Sequence, residues 1–402
     1  MQRSVLFVGA GRHQRSAIER VRDLGTRVVA VDRNADAPGL ALADAAHVVD
    51  FADIDAVADV GRLEHVEGIM TFASDRAVPI VAAAAKRLGL PSIGVETAHR
   101  FTNKIAMRRR LAELGVPQPQ FAAVRSIADA RAALDVVGLP AVLKPADAAG
   151  QRGLFLLHSF DDLAAHLHAA LAASSEREAI VESYHEGVEV NTLVVAAEDE
   201  VRIVTASDRL RPAGVGFGVA IAHLYPSTFF GDLLAEIERV AITAVHALEL
   251  ERGIAYPQLL VTDSEVLVVE AAARIPGGQM VDVARLGTGV DLLEIAALLA
   301  LGERIASALS EPRFQQPLAV RFLTAQPGPL PTGRVRSVGT LDRVLAFPGV
   351  VQAEVYLEVG DTIRPVQIDG DRRGYVIALA DTNLEALERA EAAATLVDVE
   401  VE

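Results

Sequence analysis

The chain has 402 residues, 51% of them apolar and 23% charged, with a formal net charge of -16. That length suits two to four subdomains, and the acidic balance excludes a nucleic-acid partner, since no basic stripe is present to neutralise phosphates. Cysteine is absent, which rules out disulfides, thiolate metal sites and cysteine nucleophiles.

The start MQRSVLFVGAGR has no apolar h-region with a small-residue cleavage site, and no apolar run approaches bilayer length. A cytoplasmic protein without a membrane partner is expected. The first hundred residues alternate strand and helix. SVLFVGAG reads as a short buried strand ending in a glycine turn, HQRSAIERVRDLG as a helix closed by Gly25, and TRVVAVD as a strand ending on Asp32. VEGIMTF and RAVPIVAAAAKRLGL repeat the unit, the pattern of a parallel, doubly wound sheet. Asp32 stands where the ribose-binding acid of a dinucleotide fold would fall. Gln14, however, takes the place of the third fingerprint glycine after Gly9 and Gly11. This unit is therefore expected to support a site rather than to bind a nicotinamide cofactor.

From about residue 101 the texture changes. TNKIAMRRRLAELGVPQP is predicted to be a helix capped by Thr102 or Asn103 and stopped at Gly-Val-Pro. FAAVRSIADARAALDVVGLPAVLKPADAAGQRGLFLL gives strand, helix, a strand carrying Lys144, a small-residue loop and a further strand. EAIVESYHEGVEVNTLVV gives strand, loop, strand. Residues 228–250 read as an amphipathic helix, and 254–270 as a hairpin turning at TDSE. Beyond the helix DLLEIAALLALG come the strand LAVRFLTA, the connector AQPGPLPTG, the strands VVQAEVYLEV and GYVIALA, and a terminal helix.

Several residues along this path carry chemistry. Lys104 opens a helix, where a cation opposes the helix dipole; it is either a solvated lysine or a phosphate ligand. Lys144 ends an apolar run and leads into ADAAGQRG, whose small residues let backbone amides face an anion. Glu182 and Glu189 flank a loop whose strand edge can meet a purine, with Glu189 accepting from a ribose hydroxyl. Gln258 and Glu270 lie on the two strands of the hairpin and can face one way, as oxygen ligands for magnesium. Arg274 can then hold a transferred phosphate or a developing oxyanion, with the amides of Gly277 and Gly278 open to the same charge. The blander alternative is a surface salt bridge between Glu270 and Arg274, followed by a turn.

In this order Lys104, Lys144 with its loop, VESYHEGVE and the Gln258…VVEAAARIPGG pattern resemble the ATP-grasp superfamily. The resemblance implies an α/β chain with the ATP-grasp fold. A Rossmann-like pre-ATP-grasp domain would occupy 1–100 and the ATP-grasp domain 101–300, with a lid at roughly 120–187 and an α+β core at roughly 188–300. A small C-terminal module would occupy 301–402. It further implies that Lys104, Lys144, Gly150 and Gly153 approach the phosphates of ATP, and that Glu182, Ser183, Tyr184 and His185 line the adenine pocket. Glu189 would hold the ribose, Gln258 and Glu270 would hold Mg2+ (or Mn2+), and Arg274 the acyl phosphate.

Two departures from the family stand out. Gln258 replaces the usual Glu, as in carbamoyl phosphate synthetases, and Ala272 replaces an Asn, which leaves one metal or two open. The run Glu-x-Ala-x-Arg with its glycine pair is similar to the L-amino-acid (dipeptide) ligases. His223 matches a histidine that assists near the acyl phosphate in that branch, while Ala220 replaces the acid that would meet a substrate amine. The function expected is an ATP-dependent carboxylate–amine ligase working through an acyl phosphate on small-molecule substrates. Arg209 and Arg211, in DRLRPAGVGFG, are candidate holders of a substrate carboxylate, or else a loop of solvated arginines. Alternatives are a purine-synthesis ligase or transformylase using carboxyphosphate or formyl phosphate, a nucleotide-binding regulator without turnover, and a nicotinamide oxidoreductase. A homodimer is expected.

Overall fold

The computed structural model of the protein describes residues 2–211 and 218–402. Residues 212–217 of the expected substrate segment lie outside them. Four short runs rich in β-branched residues, Ser4–Val8 (β1), Arg27–Asp32 (β2), Ala45–Val48 (β3) and Gly68–Met70 (β4), form a parallel sheet in the order β3-β2-β1-β4. Val5 and Phe7 of β1 enter one apolar core, and Leu6 and Val8 enter another. A strand covered on both faces must be apolar, and β1 is so from Val5 to Val8.

Phe121–Val124 (β5), Ala141–Pro145 (β6), Phe155–Leu157 (β7) and Ala179–Ser183 (β8) make a separate antiparallel sheet in the order β5-β8-β6-β7. Helices Ile127–Val137 and Phe160–Ala173 supply the rest of its core, a cluster drawn only from residues 122–181. A layer with its own core can move as a unit. Of the two capping candidates at the entry to this region, Asn103 is the cap. Its side chain accepts from the amides of Ile105 and Ala106, whereas Thr102 ends the preceding helix.

The body is one antiparallel sheet of eight strands. Its members are Val188–Ala197 (β9), Glu200–Leu210 (β10), Ala222–Tyr225 (β11), Gly253–Val261 (β12), Val266–Ala272 (β13), Leu318–Phe322 (β14), Val350–Val355 (β15) and Gly374–Leu379 (β16). They run in the order β13-β12-β9-β10-β11-β14-β16-β15. The sheet thus passes through the border expected near residue 300, because β14 pairs with the free edge of β11 and hides it. The expected helix at 228–250 spans Gly231–Ala247. It starts late because the backbone amide and hydroxyl of Thr228 bind Asp208 on β10 and hold that stretch to the sheet. No helix among the described residues is long and apolar enough to cross a membrane.

Candidate active site

A cleft runs between the lid sheet and the body. It is lined by Lys144, Gly150, Ser183, Tyr184 and His185 on one side, and by Lys104, Glu189, Gln258 and Glu270 on the other. Most of the residues expected to meet ATP are thus brought together. Gly153 is not among them: it packs under the loop against Pro145 and Ala173, and its φ of +72° shapes the turn. Lys144 is almost fully buried, and its ammonium donates to Glu182 Oε2 at 2.6 Å. The other carboxylate oxygen of Glu182 receives Arg108 Nε at 2.8 Å. Burial pushes the Glu182 carboxyl up, but Arg108 and Lys144 outweigh it and hold its pKa at about 2. Glu182 therefore meets the cleft as backbone and spends its side chain on fixing the lysine.

Lys104 is not solvated. Its Nζ donates to the carbonyl of Ala148 at 2.7 Å and lies 3.3 Å from Glu270 Oε1. Glu189 pairs with both Arg209 and Arg211, which line the cleft rather than a solvated loop. Gln258 and Glu270 face each other across the hairpin. Two neutral-to-anionic oxygen donors, with ligand phosphates completing the shell, fit Mg2+, which binds through few protein ligands. Among the described residues no three His, Asp or Glu side chains converge to hold a metal by themselves.

Arg274, four residues after Glu270 and not in the cleft's lining, makes a bidentate contact with Asp75, Nε to Oδ1 at 2.7 Å and Nη2 to Oδ2 at 2.6 Å. The salt bridge considered between Glu270 and Arg274 is thus replaced by two others, Glu270 with Lys104 and Arg274 with Asp75. Burial raises the Asp75 carboxyl, yet Arg274 and Lys104 leave it lowered. Nearby, His223 on β11 is 3% exposed, with Nδ1 3.3 Å from the Asn191 amide nitrogen and its ring edge-on to Phe322. Burial first, then the charges of Arg372 and Arg209, keep its pKa well below 6.5, so the imidazole is neutral at pH 7. A Cβ on Gly278 would stand 3.4 Å from His223 Nε2, and its φ is +67°. The contact is an ordinary one, so it is the left-handed φ that favours glycine there.

Three family models match the chain. An ATP-grasp N-terminal domain matches 18–92, the carbamoyl-phosphate synthase L chain ATP-binding domain matches 103–308, and the L-amino acid ligase C-terminal domain 2 matches 321–402. The second covers just over half of the chain. The chain belongs to the ATP-grasp superfamily of ligases. The protein y4rH of Sinorhizobium fredii is 26% identical over 84% of this ATP-grasp chain and 70% of its own length. A formate-dependent phosphoribosylglycinamide formyltransferase of Ignicoccus hospitalis is 27% identical over 98% of this chain and 95% of its own. The chain spans only 25–30% of the carbamoyl phosphate synthase large chains that it matches. In fold it is similar to the L-amino acid ligase of Bacillus licheniformis, with a TM-score of 0.86 at 19% identity, covering 100% of this chain and 99% of that one.

The ATP-grasp glycine pair does not line the first cleft but opens on a second cavity, of about 370 Å³, which sequence reasoning missed. Arg12, His13, Arg15 and Arg20 from the first domain meet Gly277, Gly278, Gln279 and Asp282 there, and Glu354, Tyr356 and Tyr375 from the C-terminal strands and loops. Four arginines and four carboxylates line it, with Arg20 on Asp291 and Arg285 on Asp282. Arg372 stands between the two cavities. It lies over the Phe322 ring at 4.2 Å and donates to the carbonyl of Ala220, the position where the family's acid is missing. Asp75 had a usable signal: it follows the carboxyl end of a parallel strand, where open α/β sheets place their ligands. At the glycine turn of the first domain Gln14 donates to Phe72 O, and its Oε1 would lie 3.1 Å from a Cβ on Gly11. Both oxygens of Asp32 accept backbone amides, from Ala10 and Asn34.

Proposed function

We propose that this ATP-grasp chain joins a small-molecule carboxylate to an amine as an amide, releasing ADP and phosphate. A carboxylate oxygen attacks the γ-phosphorus of ATP and ADP leaves; the amine then attacks the acyl carbon and phosphate leaves. The observation that carries this reading is the junction at Arg274–Gly278. Glu270, just before it in the chain, lines the lysine-bearing cleft, and Gly277 and Gly278 line a separate, charge-balanced chamber.

Phosphoryl transfer asks for positioning and charge neutralisation rather than for a protein nucleophile. Lys104 and Lys144 supply the cations at the phosphates, and backbone of Glu182–His185 faces the base. Glu189 is placed for the ribose once a nucleotide competes with Arg209 and Arg211. Gln258 and Glu270 would hold Mg2+ or Mn2+, which neutralises charge on the transferring group when bound. Arg274, buried and oriented by Asp75, stabilises the acyl-phosphate oxyanion. His223, neutral at pH 7 and accepting from Asn191 at Nδ1, would donate from Nε2 near the acyl phosphate. The amine and acid enter from the chamber.

Incubation with ATP, magnesium and a panel of acids and amines tests this. ADP should appear only when an acid and an amine are both present, with a product mass equal to their sum less water. The formyltransferase likeness over nearly the whole chain favours one second reading, in which formate or bicarbonate is activated and passed to a phosphorylated nucleotide precursor. The equal count of arginines and carboxylates in the chamber argues against it, since a phosphate dianion gains no net positive surface there. ADP release driven by formate or bicarbonate with such a precursor, and by no other acid, would reverse that preference.

A further inference from the structure

The hairpin that carries Gln258 and Glu270 has a defect in it. Leu259 pairs with Val268, yet Gln258 pairs with Glu270, so Val269 is an extra residue bulged out of β13. Without the bulge Gln258 would face Val269 and Glu270 would face Pro257, on opposite faces of the sheet, because side chains alternate along a strand. The bulge is what sets the two oxygen donors side by side. It lies on an edge strand, where the carbonyls of Val268 and Val269 need a donor from outside the sheet.

Arg108 supplies it. Its side chain is 1% exposed, with Nη1 on Val268 O at 2.6 Å and Nη2 on Val269 O at 2.6 Å. Its third arm, Nε, holds Glu182, which holds Lys144. Arg108 also lies four residues after Lys104 on the helix Lys104–Glu113, hence on the same face, and Lys104 touches Glu270. One buried guanidinium thus ties the strand bearing the expected metal carboxylate to the lid strand bearing the expected phosphate lysine. Only arginine offers three donors in a fixed plane to do so.

We propose that Arg108 is a positioning residue that sets Lys144 and Glu270 relative to each other, so that nucleotide and metal are bound as one unit. This rests on the nucleotide and metal roles given to those two residues above. The test is calorimetric binding of ADP to the full chain, without metal and across a magnesium series, for wild type, Arg108→Lys and Arg108→Met. Lysine can stay on Glu182 but cannot also hold both bulge carbonyls. Arg108→Lys should therefore raise the magnesium concentration that half-saturates tight ADP binding about 10-fold or more, as loss of a ligand-orienting contact does. Its metal-free ADP affinity should stay close to that of wild type. Arg108→Met should weaken both.

A merely structural role predicts something different: fewer competent sites per chain with unchanged affinities, which calorimetric stoichiometry separates. If Arg108→Met does not fold, Arg108→Lys decides alone. Unchanged magnesium dependence in a folded Arg108→Lys, or a change in stoichiometry only, overturns the inference and leaves the nucleotide cleft standing. A wild type that binds no ADP overturns the cleft assignment and this inference together.

Discussion

The lysine-bearing cleft and the chamber beyond Gly277 use the same residue types in opposite ways. In the cleft two of the three carboxylates are spanned by two cations, Glu182 by Arg108 and Lys144, and Glu189 by Arg209 and Arg211, while Glu270 has Lys104. In the chamber the pairs are one to one, Arg20 with Asp291 and Arg285 with Asp282, and the arginines of those pairs are half-exposed. An excess of buried cation prepares a surface for a polyanion at little reorganisation cost. A balanced, wetter rim suits a ligand carrying both signs. Recognition of energy source and recognition of substrate are therefore expected to come apart under mutation.

The largest effect belongs to the residue at the seam. Arg274→Ala should lower kcat by roughly 10²–10³, the usual loss for one oxyanion donor. ADP affinity should hold, because Lys104 and Lys144 remain. Steady-state rates beside calorimetry read both quantities. Near-normal turnover would mean that the contact with Asp75 only joins domains, and the seam would have no chemical role.

Next in size is Lys144→Met, which removes a charge-assisted contact worth about 1.5–3 kcal/mol. Nucleotide affinity should fall roughly 10–100-fold on that basis, with KM for acid and amine unmoved. A fall in substrate affinity alone would erase the distinction between the two regions.

The same division explains what could be read from the sequence. Lys104 opens a helix, Lys144 and Arg274 end apolar runs, and Gln258 and Glu270 are lone polar residues within them, so local pattern marks all five. The strand-and-helix alternation is legible for the same reason. Arg108 is hidden in the run Arg108-Arg109-Arg110, where only the face shared with Lys104 sets it apart. The bulge at Val269 leaves no sequence mark at all, since its cause is a side chain from another element. The chamber gathers residues 12–20, 277–293 and 352–375, and no local periodicity links segments that distant. The pairing of β14 with β11 is hidden likewise: the strands are legible, but their adjacency is a tertiary choice.

A smaller effect probes the chamber itself. Gln279 Nε2 donates to the Tyr356 hydroxyl at 3.1 Å. Tyr356→Phe removes that acceptor, a neutral hydrogen bond worth about 0.5–1.5 kcal/mol. KM for one of the two organic substrates should rise several-fold on that scale, with ADP binding unchanged. Should ADP binding move instead, the chamber belongs to the nucleotide.

A pH effect concerns the wall between the regions, where His223 is buried beside Arg372 and Arg209. Its pKa lies well below 6.5 in the folded chain, whereas the unfolded chain keeps the ordinary value. Between those two values the unfolded state binds the extra proton, so folding stability rises with pH up to about 6.5 and is then flat. Acidification below 6.5 should therefore cost the wild type up to about 1.4 kcal/mol per pH unit, a loss that His223→Gln escapes. Urea melts of the two proteins from pH 8 to pH 5 measure the difference, in which the shared histidines cancel. A difference that stays level through this range would show an imidazole free to charge. The wall would then be wet, and a protonated His223 would add a third positive charge beside Arg372 and Arg209.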